Sequence, residues 1–268
     1  MKRQVIISAI SILSLVAISM FKPETKSETE PLKTKSTEST SPKTSEETLL
    51  GPEIDDGFYY EIGSRFLGIR KSDIKDALSI QDFLDPDMFH KVHSYNSIEL
   101  YRVNDEGRYV GLPLDSQNDT LSLAQLDMLN NADYGTNVTF RIDLMENIYA
   151  HGPAIQNLFT PYHTLVPHQE AEYIHGNDVL VRSIRMANYE NTKGLRPDDL
   201  RPAKMYFTIS KEGSIENIQL DKGTGYPRID LELSNQLKAT GSDWKPARDE
   251  NGKPVAQRLV FFFGLPGC

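Results

Sequence analysis

The sequence predicts an α+β protein in four parts, and three observations carry that prediction. The C-terminal quarter alternates with the two-residue period of half-buried strands around one helical stretch. The middle of the chain carries enough aromatic and aliphatic residues for a core of its own. The first fifty residues show neither pattern: an uncharged apolar run is followed by a polar tract. The parts are a hydrophobic N-terminal helix (1–21), a disordered linker (22–50), a separate α+β middle domain (51–200) and a C-terminal domain (201–268). In the last, a small antiparallel sheet is expected to pack on a helix.

Within the C-terminal part, Ala203–Ser210 puts Met205, Phe207 and Ile209 on one face and Lys204, Tyr206, Thr208 and Ser210 on the other. That alternation reads as a strand. Lys211-Glu212-Gly213-Ser214 is a turn, and Ile215–Leu220 returns as a second strand. Pro227 fits the first turn of a helix, and Ile229, Leu233 and Leu237 follow at helical spacing before Gly241. Asp249-Glu250-Asn251-Gly252 is a further turn, and Pro254–Gly264 is the last strand. Gly223-Thr224-Gly225 is the turn that releases the second strand into the helix; it lacks a P-loop lysine.

The ordered set resembles the C-terminal domain of TonB-family proteins, the energy transducers of Gram-negative envelopes. It comprises Lys211-Glu212-Gly213-Ser214-Ile215, Asp230 near the helix start, Trp244-Lys245-Pro246-Ala247, and Gly252-Lys253-Pro254-Val255 before the final strand. The resemblance implies that the last strand pairs with a short extended segment of an outer-membrane transporter or other envelope protein. An edge strand offers unpaired N–H and C=O groups for such pairing. The partner-binding residues implied are Val255, Gln257, Arg258, Leu259, Val260 and Phe261. Trp244, with Lys245 and Pro246, is assigned a structural role beneath the helix. TonB-type anchors usually carry a membrane-helix histidine that couples to inner-membrane motor proteins. Here Val5–Phe21 has Ser8, Ser11, Ser14 and Ser19 but no histidine, and Leu195–Pro202 stands where the family tends to have a Tyr-Pro element.

The N-terminus sets the expected compartment. Lys2 and Arg3 precede the uncharged Val5–Phe21. The run is close to the lower limit of roughly 17 residues for a membrane-spanning helix. It is long beside the roughly 7–15 residues of a signal-peptide core. A signal anchor and a signal peptide cleaved after Ala17-Ile18-Ser19 both stay open, and both export the rest of the chain. The protein is therefore expected in the inner membrane with extracytoplasmic domains, or in the periplasm. Lys22–Leu50 is built almost wholly from Lys, Glu, Ser, Thr and Pro, which predicts disorder.

In the middle, Ser97–Val103 and Asn137–Met145 read as strands, Asn104-Asp105-Glu106-Gly107 as a turn, and Thr120–Asn131 as a helix with Leu121, Leu123, Leu126 and Leu129 apolar. Val179–Met186 reads as another strand. The order after Glu106-Gly107 matches that after Glu212-Gly213. A degenerate internal copy and an unrelated α+β domain both account for it.

The chemistry of sites comes out negative, with no catalytic residue, metal site or cofactor expected. The six histidines are scattered; His90 and His93 could share a face only if 87–94 were helical. No HExxH and no GxSxG is present. The lone cysteine, Cys268, makes no internal disulfide. A net charge of −9 argues against nucleic acid. Two functions remain: a transducer pulling on an outer-membrane transporter, or an exported binding module without energy coupling.

Overall fold

The computed structural model describes residues 55–265, apart from Pro86, Met88 and 148–151. The expected anchor and linker lie outside these residues. Among the described residues no helix is long and apolar enough to cross a membrane. The fold is mixed α+β, with antiparallel sheets and few helices.

In chain order the elements begin with β1 (Tyr59–Gly63), β2 (Leu67–Arg70) and the short α1 (Lys71–Lys75). β3 (Val92–Val103), β4 (Tyr109–Ser116), α2 (Leu123–Asn131) and β5 (Asn137–Glu146) follow. Next come β6 (Ile155–Phe159), β7 (Tyr162–Val166), β8 (Glu172–Tyr173) and α3 (Asn177–Thr192). The C-terminal part contains β9 (Ala203–Ile209), β10 (Ile215–Lys222), α4 (Pro227–Ala239), β11 (Trp244–Lys245), β12 (Ala247–Arg248), β13 (Pro254–Val255) and β14 (Gln257–Gly264).

Two sheets organise the chain. The larger runs β2-β7-β5-β3-β4, with β6 also on β5. Its inward face carries Ile98, Leu100, Val138, Phe140, Ile142 and Leu144, and these pack with Ile74 of α1 and Leu129 of α2. The smaller runs β1-β14-β9-β10. Its inward face carries Met205, Phe207, Leu259, Phe261 and Phe263 against Ile184 of α3 and Leu233 and Leu237 of α4.

Helix α2 shows how local sequence fixes an element. Ser122 Oγ accepts from the Gln125 N–H, and Gln125 Oε1 accepts from the Ser122 N–H. This capping box satisfies two otherwise orphaned donors. The Gln125 amide then donates to the carbonyls of Ile98 and Leu114, both at 2.9 Å, and so ties the helix to β3 and β4. Because the cap falls at Ser122, Leu123 sits on the first turn and is 86% exposed, although the apolar pattern assigned it to the core.

The 179–186 stretch is helical, not a strand. Leu180, Ile184, Asn188 and Thr192 are buried at four-residue spacing along α3. The eight-residue window favoured β because Val179, Val181 and Ile184 are β-branched; the longer period decides for a helix. The last strand divides in two. Pro254–Val255 pairs with β12, and Gln257–Gly264 pairs with β9. His93 lies on β3, so His90 and His93 share no helix face.

The two units around β3 and β9 share one topology. Each runs strand, strand, helix, strand, and in each the first strand lies between the other two. The side-chain phase differs. Counted back from the turn glycine, inward positions are even in one unit (Phe207 before Gly213) and odd in the other (Leu100 before Gly107). A bulge between Leu100 and Arg102 accompanies that shift.

Three hairpins use one turn. In 104–108, 210–214 and 249–253 the first residue's side-chain oxygen accepts from the N–H groups two and four positions on. The first and fifth residues also close a backbone bond in each. The fourth residue is glycine in the left-handed region: Gly107 at φ 81°, Gly213 at φ 82° and Gly252 at φ 75°. Their surroundings differ. A Cβ on Gly213 would lie 2.2 Å from the Trp244 carbonyl oxygen, whereas Gly107 and Gly252 have nothing within 4 Å. We therefore expect Gly107→Ala and Gly252→Ala to cost about 1–2 kcal/mol each, the strain of a left-handed alanine. Gly213→Ala should cost clearly more, because the backbone must also move. Urea melts of the three variants check this, and equal losses would contradict it.

Candidate partner interface and the cleft beside β1

From Val260 onward the final strand is not an edge. Residues Val260–Gly264 of β14 pair with β1, with Gly63 opposite Val260 and Tyr59 opposite Gly264. At the other end of β14, the buried Gln257 accepts from the Ala171 N–H at 2.7 Å and donates to Glu170 at 2.8 Å. The expectation of an unpaired backbone is therefore corrected at Val260 and Phe261, whereas Gln257, Arg258 and Leu259 pair with β9 and extend past the end of β1. Val255 is half-buried and belongs to the β12–β13 ladder. Leu259 and Phe261 face the helices, and Val260 is buried. The physical reason is the apolar flank of β14. Phe58 and Tyr60 meet Phe263 with tilted rings at 5.4 and 4.8 Å, and Tyr60 also meets Phe261 at 6.3 Å. Burying Phe58, Tyr60 and Ile62 is worth about 6 kcal/mol together.

Trp244 occupies the place its spacing suggested. It is buried, its Nε1–H donates to Thr240 Oγ1 at 2.9 Å, and its ring meets Phe207 at 5.7 Å and Tyr173 at 5.6 Å. Lys245 pairs with Glu172 at 2.8 Å on the exposed surface, where an ion pair adds little. Pro246 separates β11 from β12. The Gly223-Thr224-Gly225 turn is occupied by the chain's own carboxylate, since Asp230 Oδ1 accepts from the Thr224 N–H and hydroxyl, both at 2.9 Å.

Arg258 joins the two sheets. Its guanidinium donates two 2.9 Å bonds to the Asp105 carboxylate, in the turn after β3, and lies 4.0 Å from the Tyr206 ring centroid. The Asp105 bonds raise the Arg258 pKa. Burial, and then the Asp105 charge, push the Tyr206 phenol up to about 12. Neither neighbour was legible as a partner from the sequence, because Asp105 reads only as a turn residue.

Beyond Arg258, a cleft of about 790 Å³ opens beside β1. Tyr59 and Glu61 from β1, Phe262 from β14, Lys204 from β9, and Arg65 and Phe66 from the β1–β2 connection line it. The Arg65 guanidinium lies 4.6 Å from the Phe66 centroid and 5.8 Å from that of Phe262. Its Nε is buried without a hydrogen-bond partner. Tyr59 donates to Glu61, and that bond pushes the Tyr59 phenol up to about 12. Nothing in the spacing around Arg65 marks it, since the cleft arises only when β1 and β2 enter different sheets. Among the described residues no group of three or more His, Cys, Asp or Glu is placed to hold a metal ion.

No family profile, no curated protein and no solved structure matches this chain.

Three outcomes follow from the geometry. Trp244→Ala should cost roughly 3–5 kcal/mol in denaturant melts, as for other large buried aromatics; a loss below about 1 kcal/mol would put the ring outside the core. A double-mutant cycle on Arg258 and Asp105 should return a coupling of about 1 kcal/mol, the bidentate geometry being offset by partial exposure. His163 is buried, and burial lowers its pKa. The folded state therefore resists a proton that the unfolded state accepts below about pH 6.5. Stability from this site is full above that pH and declines as pH falls toward the folded pKa. Between pH 7.5 and 5.5 the wild type should lose more stability than His163→Asn, and parallel curves would refute the assignment.

Proposed function

We propose that the chain is an exported envelope binding module. In this reading the N-terminal segment carries it across or into the inner membrane, and the 22–50 segment tethers it. The 201–268 part is a TonB-like domain used as a scaffold. The observation that carries the reading is the 790 Å³ cleft beside β1 of the β1-β14-β9-β10 sheet, with β1 filling the flank of β14. Pockets of this size, lined by rings and a few polar groups, suit a bound ligand. The site offers a stacked cation and acceptors but no nucleophile activated by a base, so the reading is binding rather than catalysis.

The strand-order β14-β9-β10 with α4 on one face supports the TonB-like scaffold and keeps the transducer as the second reading. Transduction through β14 would require β1 to leave. Gly63 and Val260 are directly paired, and Gly63 has room for a Cβ. A disulfide between Gly63→Cys and Val260→Cys, in a Cys268→Ser background, would lock β1 in place. Full-length locked and unlocked proteins are then used to recover partners from membranes. The binding-module reading expects the same envelope partners from both. Recovery of motor subunits or an outer-membrane transporter by the unlocked form alone would favour the transducer.

A further inference from the structure

We propose that the cleft beside β1, with the aromatic row leading from it, binds a carboxylate-bearing saccharide chain. The proposal rests on the binding-module reading and names the ligand class of that same cleft.

Arg65 supplies the first part of the argument. Its guanidinium rests near two rings, and no carboxylate among the described residues pairs with it. The nearby carboxylates are engaged elsewhere. Glu61 accepts from the Tyr59 hydroxyl, and Glu170 accepts from Ser64 and Gln257. A guanidinium held on aromatic faces keeps its planar fork of donors ready for a carboxylate. Arg258 makes the contrast, since its fork is filled by Asp105.

The second part is the row of rings. Phe66 meets Tyr162 at 5.2 Å, and Tyr101 stacks on Tyr109 at 4.2 Å with 22° between planes. Burial and the neighbouring Tyr109 raise the Tyr162 phenol, which links the two pairs. Thr139 stands opposite both Tyr101 and Tyr162 in the ladder, so a small residue separates the large ones. The helices of the larger sheet lie on its other face, with Phe140 and Ile142. On the ring-bearing face, Tyr101 donates to Glu99, which also accepts from Arg141 at 2.9 Å, and farther along β5 Asp143 accepts from Asn96 and Gln156. Flat rings with amides and carboxylates at their margin suit a pyranose, whose C–H face stacks while its hydroxyls bond.

An extended peptide fits less well, because it finds no backbone edge at Val260–Phe263, where β14 is paired on both sides.

The test is calorimetric titration of the full-length protein with hexa-galacturonate, with a neutral hexamer of glucose and with hexametaphosphate as comparisons. We expect the acidic saccharide to bind at least tenfold more tightly than either comparison. Arg65→Ala should lose at least tenfold, and Arg65→Lys should recover part of it. Tyr109→Ala, at a ring already 46% exposed, should weaken binding severalfold without unfolding the chain, so the proposal stays testable if Arg65→Ala does not fold. Equal binding of the neutral hexamer would remove the role of the cation. Equal binding of hexametaphosphate would reduce the site to charge attraction. Either result, or no binding of hexa-galacturonate at millimolar concentration, overturns the proposal. If membranes still yield a protein partner in that case, the binding-module reading stands and only the saccharide falls.

Discussion

The pairing of β1 with β14 is the constraint on which the rest of the described structure depends. It joins Tyr59–Gly63 to the last strand of the chain and completes the smaller sheet. Arg185 of α3 reinforces the join: it pairs with Asp56 at 3.2 Å, donates to the Phe58 carbonyl and lies 4.7 Å from the Tyr60 ring centroid. The chain then has only Ser64–Phe66 in which to leave one sheet and enter the other as β2, parallel to β7. That short crossing places Arg65 and Phe66 against Phe262. The cleft is thus a consequence of where β1 is held.

Closing one edge leaves others to be managed. β1 and β10 are the outer strands of the smaller sheet and β2 and β4 those of the larger, and of these β4 and β10 are irregular. In β4 the pairing with β3 is interrupted at Gly111-Leu112-Pro113, with Gly111 at φ 79° and Leu112 90% exposed. In β10 the register shifts between Glu216 and Gln219, with Asn217 at φ 52°. Bulges, a proline and charges disfavour pairing with another chain. The strand expected to recruit a partner is interior from Val260 onward, and the edges at β4 and β10 are blunted.

The two sheets meet through arginine and aromatic contacts more than through a shared apolar core. Arg258 brings a carboxylate of one unit to a tyrosine of the other, and Arg65 bridges Phe66 and Phe262. The apolar clusters themselves stay separate, one around Phe207 and one around Phe140. A polar seam of this kind leaves room for a cleft beside it, where an apolar seam would close to exclude water.

By itself the sequence determined the local elements. Alternation marked Ala203–Ser210 and Asn137–Met145, helical spacing marked Ile229, Leu233 and Leu237, and glycine among polar residues marked the turns at Gly107, Gly213 and Gly252. These follow from nearest-neighbour sterics and hydrogen bonding, which a short window contains. Asn177–Thr192 escaped because β-branched residues cluster at its start, and the helical period emerges only over the full length. Tertiary structure alone decided that β1 covers the end of β14, that Asp105 meets Arg258 and that Arg65 finds no carboxylate among the described residues. Each of these joins residues far apart in the chain, or leaves one unjoined, and depends on which apolar flank offers the most surface to bury. No local pattern records that competition, so the strands were legible and the site was not.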